Sequence, residues 1–198
     1  MHPGKDVSCS ELQGHLMRIF VKMDRRRMSQ DHVPWEQPTS HDVVNAFKVS
    51  GGFRRFIKNA LNELLIAKPE ESIAIFAPDG DSKVEQGRFY IHKYRKDGEN
   101  ISGLPVIISC KIANRNYILE ANNAESDTVK VTEGQLPQEI PSDSSGLVFY
   151  MQEFSEGHRN MCFESSLKKG CYLAWNKEKK LILKRRVPSD ETISFSLV

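Results

Sequence analysis

The chain has 198 residues, which is enough for one domain of ordinary size, a buried hydrophobic core and an appendage. Its 28 lysines and arginines nearly balance its 26 acidic residues and leave a net charge of +2. Nucleic-acid-binding proteins usually carry a larger and more clustered basic surplus, so we expect no nucleic-acid partner. The sequence contains no apolar run of about twenty residues, so no segment is expected to span a membrane.

The N-terminal residues Met1–Asp6 lack the apolar segment of a secretory signal, so we expect synthesis in the cytosol. That compartment is reducing, and three of the four cysteines lie in apolar runs, where a thiol packs as a small hydrophobic group. We therefore expect free thiols at Cys9, Cys110, Cys162 and Cys171. Zinc binding by His158, Cys162 and Cys171 is not favoured, because paired Cys-x-x-Cys spacing is absent, and no cofactor is expected.

Residues 8–23 carry apolar side chains at helical spacing, and the basic cluster Arg25–Arg27 follows them. The pattern predicts an amphipathic helix. Two interpretations of this helix stay open. It packs on the rest of the protein with the arginines near its negative end, or it forms a membrane-surface or nuclear-import element.

Residues 29–41 have neither helical nor strand periodicity and contain Pro34 and Pro38. We predict an exposed connector, the kind of segment that proteases cut.

Residues 42–60 hold a second helical candidate that Gly51 and Gly52 interrupt. We interpret this part as a helix, a hinge and the lead-in to the first strand.

From Leu61 onward, short apolar runs alternate with turn residues and no long helical pattern interrupts them. The pattern is typical of an all-β sandwich or a closed barrel. The predicted strands are Glu63–Ala67, Ser72–Ala77, Arg88–Tyr94, Pro105–Ile112, Tyr117–Ala121, Thr128–Glu133, Leu147–Phe154, Met161–Ser165, Cys171–Trp175, Leu181–Arg185 and Thr192–Val198, with a further short one near Lys83–Glu85.

A faint internal repeat favours the barrel, because residues 117–122 resemble residues 172–176. Three four-stranded units over about 61–96, 104–154 and 160–198 would form a β-trefoil, in which twelve short strands follow a pseudo-threefold axis around a six-stranded barrel. The repeat alone does not decide between the two architectures. The predicted core is Leu65, Ile75, Phe89, Ile91, Val106, Ile108, Ile118, Val129, Phe149, Met151, Phe163, Leu173, Ile182, Phe195 and Leu197.

A sequence signature lies in the stretch 160–184. Its residues are Phe163, Glu164, Ser165, Ser166, Gly170, Tyr172, Leu173 and Ala174, followed by the strand-like run Leu181–Lys184. Together with Leu104–Val106, Val148–Tyr150 and the terminal run Ile193–Val198, this signature resembles that of interleukin-1-family cytokines. The resemblance extends from about Asn62 to the C-terminus and implies a β-trefoil.

The resemblance also implies a role in signalling. The mature domain, expected to be a monomer, would bind a cell-surface receptor pair built from immunoglobulin domains and trigger inflammatory signalling, including interferon-gamma induction. Arg95 and Lys96 fall where the family places receptor-facing basic residues. Tyr94 beside them is predicted to be a low-entropy anchor for the partner.

The family resemblance further implies an inactive precursor that a protease activates. The run Thr39–Asp42 followed by Val43 looks like an inflammatory-caspase site, with Asp24 and Asp31 as competing positions. We expect a partly helical pro-segment at 1–42 and the trefoil domain at 43–198. The precursor would stay in the cytoplasm, and the mature protein would leave the cell without a signal peptide.

No enzymatic activity is expected, because the sequence lacks the nucleophile elbow, the Walker A loop, the dinucleotide fingerprint and the His-Glu-x-x-His motif. Asp79–Asp81 lacks the later ligands of a calcium loop and is predicted to be a turn. No orienting carboxylate is implied for a nucleophile and base formed by Ser165, Ser166 and His158.

Two other functions stay open. One is a nuclear alarmin of the same family, whose N-terminus would bind chromatin, and Arg25–Arg27 would support it. The other is a trefoil lectin or a heparin-binding growth factor. A lectin trefoil would usually repeat its sugar-contact residues in each third, and this chain shows no such repeat.

Overall fold

The computed structural model describes residues 47–80, 86–95, 103–140, 144–157 and 159–198, and these residues form an all-β fold. Its strands are β1 Phe47–Lys58, β2 Leu64–Lys68, β3 Ile73–Ala77, β4 Arg88–Arg95, β5 Leu104–Ile112, β6 Arg115–Ala121, β7 Val129–Glu133, β8 Glu139–Ile140, β9 Phe149–Glu153, β10 Met161–Ser165, β11 Cys171–Trp175, β12 Leu181–Arg185 and β13 Ser196–Leu197. Two 3-10 helices span Pro69–Glu71 and Glu191–Ile193. No helix in these ranges is long and apolar enough to cross a membrane.

Several predictions fall on residues that the structure does not describe. They concern the helix at 8–23, the cluster Arg25–Arg27, the connector, the candidate cleavage positions Asp24, Asp31, Asp42 and Val43, the short strand near Lys83–Glu85, Lys96 and His158.

Six strands form a closed ring of antiparallel neighbours. β1 pairs with β4, β4 with β5, β5 with β9, and β9 with β10. The ring closes through the C-terminal segment, because Phe195 exchanges backbone hydrogen bonds with Met161 of β10 at 2.8 and 2.9 Å and β13 pairs with β1. Closure leaves this barrel without an unpaired edge.

Three hairpins, β2–β3, β6–β7 and β11–β12, lie outside the ring and touch one another. Ile75 of β3 forms a bridge with Lys180, and Thr128 before β7 forms one with Ile182 of β12. The Val131 N–H of β7 donates to the Ser72 carbonyl at 3.1 Å. A ring of six strands with three mutually touching hairpins is the β-trefoil that the sequence predicted.

The predicted helix and hinge within residues 42–60 are wrong for the described part, because residues 47–58 form one long strand, β1. The two glycines serve the strand instead of breaking a helix. Gly51, with φ of +127°, lies at a bulge in the pairing with β4, where the register shifts between Val49 and Gly51. Gly52 lies so close to the Tyr90 ring that a side chain would overlap it. The first third of the trefoil therefore begins at Phe47 and not near residue 61.

The C-terminal strand predicted at Thr192–Val198 is shorter than expected. A 3-10 helix occupies Glu191–Ile193 because the Asp190 carboxylate accepts the Thr192 N–H at 3.0 Å and caps it. The pairing strand β13 contains Ser196 and Leu197. The short strand β8 was not predicted, since Pro137 and Pro141 around it indicated a turn.

The main core lies inside the barrel and contains most of the predicted core residues. Ile75 and Ile182 are partly buried instead, and Ile118 belongs to an outer cluster. Phe76, Leu181 and Leu183, which neighbour Ile75 and Ile182, fill the core. The other face of each hairpin is also apolar. Three smaller clusters cover it, so the sequence period could not tell the inner face from the outer one.

The cysteines in the described ranges, Cys110, Cys162 and Cys171, are free and buried, as predicted. Burial raises the pKa of the Cys110 thiol to about 12. A thiol with so high a pKa carries little thiolate at neutral pH, which makes it a packing group.

Candidate receptor-binding surface

Tyr94 does not lie on the surface, which corrects the prediction that it is an exposed anchor. Its side chain is 1% exposed and packs with Phe47, Ile107 and Ile140. Its hydroxyl donates a hydrogen bond to the Pro137 carbonyl, and burial raises its pKa to about 12. Tyr94 therefore fixes the end of β4 against the loop before β8.

Arg95, the last residue of β4, is exposed as a receptor-facing residue would have to be. It lies opposite Lys48 in the pairing of β4 with β1. Lys48 has a Glu139 carboxylate oxygen 4.0 Å from its ammonium nitrogen, and both side chains are more than half exposed. The strand ends here thus carry a mainly basic rim around the buried Tyr94.

The apolar residues of the signature lie inside the protein and stabilise the fold. Phe163 is fully buried and its ring lies 6.1 Å from that of Phe195 in the barrel core. Leu173 also fills this core, whereas Tyr172 and Ala174 belong to one of the outer clusters. The apolar signature residues therefore build the two faces of the β10–β11 hairpin.

The polar signature residues hold the backbone of neighbouring loops. The Glu164 carboxylate accepts the Gly170 N–H at 2.7 Å, where Gly170 takes a φ of +77° at the turn before β11. The fully buried Ser165 accepts the Lys168 N–H at 3.2 Å. Ser166 both accepts the Ser145 N–H at 3.0 Å and donates to the Ser145 carbonyl at 2.8 Å. Each polar side chain thus satisfies a backbone group that the short loops leave without a strand partner.

A groove that the sequence did not predict lies across the outer face of β1, β4 and β5 and has a volume of about 720 Å³. Its lining contains Arg54, Arg88 and Lys111 and no acidic residue. These residues stand far apart in sequence, but the strand register brings them together, since Arg54 lies opposite Tyr90 and Tyr90 opposite Ser109. The three basic residues are visible in the sequence. Only the register between the strands shows that they lie on one face of the sheet.

The floor of this groove is uncharged at neutral pH. The Tyr90 and His92 rings pack with centroids 4.2 Å apart, and His92 Nε2 lies 2.7 Å from the Ser109 hydroxyl oxygen. Burial lowers the pKa of His92 to about 4, so its ring is neutral at pH 7. The positive charge of the groove therefore comes from the two arginines and the lysine at its rim.

Comparisons with known proteins agree with this fold. The family model described as Interleukin-1 / 18 matches residues 79–197. Chicken (Gallus gallus) interleukin-18 is 29% identical over 155 residues, which cover 74% of this chain and 78% of that protein. Mouse (Mus musculus) interleukin-18 is 31% identical over 147 residues, covering 71% of this chain and 73% of that protein.

Among solved structures, the crystal structure of chicken interleukin 1 beta aligns with a TM-score of 0.62 at 14% identity, covering 76% of this chain and 98% of that one. This likeness supports the β-trefoil fold. The sequence matches confirm the predicted likeness to interleukin-1-family cytokines, and the matched relatives are interleukin-18 proteins. Interleukins are cytokines and not enzymes, which agrees with the expectation that the chain does not catalyse a reaction. The chain belongs to the interleukin-1/18 family.

Proposed function

We propose that this chain is an interleukin-18-like pro-inflammatory cytokine that is made as an inactive cytoplasmic precursor. An inflammatory caspase would cut it after Asp42, and the released domain would leave the cell and bind a receptor pair built from immunoglobulin domains. The observation that carries the proposal is the similarity to chicken interleukin-18, which extends over 74% of this chain and 78% of the relative.

The position of β1 limits the cut to residues before Phe47. β1 begins at Phe47, whose side chain is fully buried, and Phe47 pairs with Ile140 of β8. A cut within β1 would remove core residues, whereas a cut after Asp24, Asp31 or Asp42 leaves every described strand in the released domain. Among these three positions, Asp42 is favoured because the run Thr39–Asp42 followed by Val43 looks like an inflammatory-caspase site. We therefore place the pro-segment at 1–42 and the cytokine domain at 43–198.

The basic rim at the end of β4 supports a receptor contact. Arg95 is exposed there and Lys48 lies opposite it. Lys96 follows Arg95 in the sequence, and we propose that Arg95 and Lys96 face an acidic patch of the receptor. Tyr94 would act indirectly, because its buried ring holds the strand end that presents them.

The precursor proposal is tested by incubating the full-length chain with an inflammatory caspase and sequencing the new N-terminus. We expect one dominant cut that exposes Val43, and loss of that cut in Asp42→Ala. Asp24→Ala and Asp31→Ala are the matched controls and should be cut like the wild type. Cut and uncut forms are then applied to receptor-bearing cells and interferon-gamma is measured.

Activity is expected from the cut form and not from the uncut form. Equal activity of the two forms would contradict the precursor proposal. Unchanged cutting of Asp42→Ala would contradict the assigned position.

A further inference from the structure

The groove across β1, β4 and β5 carries concentrated positive charge. Arg54, Arg88 and Lys111 are exposed along its rim, and within the described ranges none of them forms an ion pair with a carboxylate. Unpaired cations that share a concave surface raise the local potential and attract anions. The Arg88 guanidinium lies 5.4 Å from the centroid of the Phe56 ring, a contact that leaves its charge in place. Within the described ranges, no carboxylate therefore offsets the charge of these three residues.

The rest of the lining is polar and suited to hydroxyl groups. Ser109, Asn114 and Asn116 supply hydroxyl and amide groups to the lining, and the Tyr90 and His92 rings, inclined at 31° to each other, form an aromatic floor. The groove volume, about 720 Å³, lies in the range of small-ligand sites. Such a lining can hydrogen-bond a polyhydroxyl ligand while the rim binds its anionic groups.

From these features we propose that the groove binds a segment of a sulfated glycosaminoglycan. The three cations lie on three neighbouring strands instead of converging on one point, which suits a chain with repeated sulfates better than a single phosphate. An acidic peptide is less suited. Extended peptides usually add to a free sheet edge, and β4 is already paired on both sides, by β1 and β5. Glycan binding of this kind would hold the secreted protein at cell surfaces.

The proposal is tested with the full-length chain and a heparin hexasaccharide, with affinity measured by calorimetry at about 150 mM NaCl, where long-range attraction is screened. The test variant is Arg54→Gln/Arg88→Gln/Lys111→Gln. We expect its affinity to fall about tenfold or more, because three exposed charge contacts are removed. Its thermal unfolding should match the wild type, since these side chains are exposed.

The matched control is Lys130→Gln/Lys177→Gln/Arg185→Gln. These residues are also exposed and lie outside the groove, and the variant loses the same number of charges. We expect it to bind the hexasaccharide like the wild type. An equal loss of affinity in both variants would mean that net charge alone binds the glycan, and it would overturn the proposal. If both variants bind the hexasaccharide as tightly as the wild type, the binding site lies outside the groove, and the proposal is overturned as well.

A second measurement needs no variant and covers the case in which the test variant fails to fold. In a ¹⁵N–¹H spectrum of the wild type, the hexasaccharide should shift the amide signals of Tyr90, Ser109 and Lys111 and leave those of Lys130 and Arg185 unchanged. Shifts confined to residues outside the groove would overturn the proposal.

Two further probes distinguish the ligand class. A hexaglutamate peptide and phosphatidylcholine vesicles containing phosphatidylserine are titrated under the same conditions. We expect both to bind more weakly than the hexasaccharide. Equal or tighter binding of the peptide or the vesicles, or no hexasaccharide binding to the wild type, would contradict a glycosaminoglycan site.

Discussion

Glu164 illustrates how a single side chain of the signature supports the fold. Its carboxylate accepts the Gly170 N–H at 2.7 Å, and the Tyr172 hydroxyl lies 3.4 Å from its other oxygen. Hydrogen bonds to a charged acceptor are stronger than those between neutral groups. Glu164 therefore fixes the turn that leads from β10 into β11.

We expect Glu164→Ala to lower the free energy of unfolding by about 1–2 kcal/mol, because the Gly170 N–H loses its charged acceptor and the side chain is half-buried. Guanidinium-induced unfolding measures the change. The matched control is Glu153→Ala on the neighbouring strand β9, where the side chain is exposed and the expected change is within about 0.5 kcal/mol. Equal effects of the two substitutions would mean that the carboxylate contact with Gly170 does not stabilise the turn.

Tyr94 marks the limit of residue-level reasoning from the sequence. A tyrosine beside Arg95 at a strand end is typical of an exposed anchor, and the sequence predicted one. Strand alternation decides otherwise, because Tyr94 points to the face that packs against Phe47 and Ile140, while Arg95 points outward. Which of two adjacent residues faces the partner depends on which face of β4 is covered.

At the level of secondary-structure elements, β1 departs most from the sequence prediction. Helical spacing of its apolar residues and the pair of glycines indicated a helix and a hinge. The strand forms because β4 supplies a partner along nearly the whole of β1, from Lys48 opposite Arg95 to Phe56 opposite Arg88. Tertiary pairing thus outweighs a local pattern, as is common for short segments with mixed signals.

Gly52 tests this account of β1. We expect Gly52→Ala to destabilise the protein by about 1–3 kcal/mol, because the new methyl group would overlap the Tyr90 ring and the Ile91 carbonyl. The measurement is the midpoint of thermal unfolding.

The control for this substitution is Gly134→Ala. A methyl group there would meet the nearest side-chain atom, Ile118 Cδ1, at 3.8 Å, an ordinary contact distance. Its midpoint should stay within a few degrees of the wild type, roughly the shift that less than 1 kcal/mol produces. If Gly52→Ala behaved like Gly134→Ala, the close approach of β1 and β4 would not be essential.

For the whole molecule, the closure of the barrel depends on the C-terminal segment. Phe195 is 1% exposed, stacks on Phe76 with ring centroids 5.7 Å apart, and lies 6.1 Å from Phe163. Its backbone also bridges to Met161. Phe195 therefore connects β3 in the first third of the trefoil with β10 in the last third, and its backbone closes the barrel.

We expect Phe195→Ala to cost about 3–5 kcal/mol of unfolding free energy, because it leaves a cavity where the three aromatic rings meet. The comparison is Val198→Ala, whose side chain is 57% exposed and whose loss should cost less than about 0.5 kcal/mol. Denaturant unfolding of both variants measures the difference. A small effect of Phe195→Ala would show that the barrel stays closed without this ring.

The sequence by itself determined the fold class and most strand positions after residue 61. Alternating apolar residues and frequent turn residues are local signals, and β10, β11 and β12 have the predicted bounds. The signature at Phe163–Ala174 also indicated the family, because its residues lie close together in the chain. Such features depend on neighbours in sequence and can be found without knowing the partners of each strand.

Tertiary structure alone decided which face of each strand is inside and which residues meet across strands. β1 became a strand through its pairing with β4, Tyr94 became a buried residue, and Arg54, Arg88 and Lys111 came to share one groove. Each of these outcomes depends on the register between segments that are distant in sequence. A one-residue change of register would exchange the two faces of a strand, so a local pattern could not have fixed them.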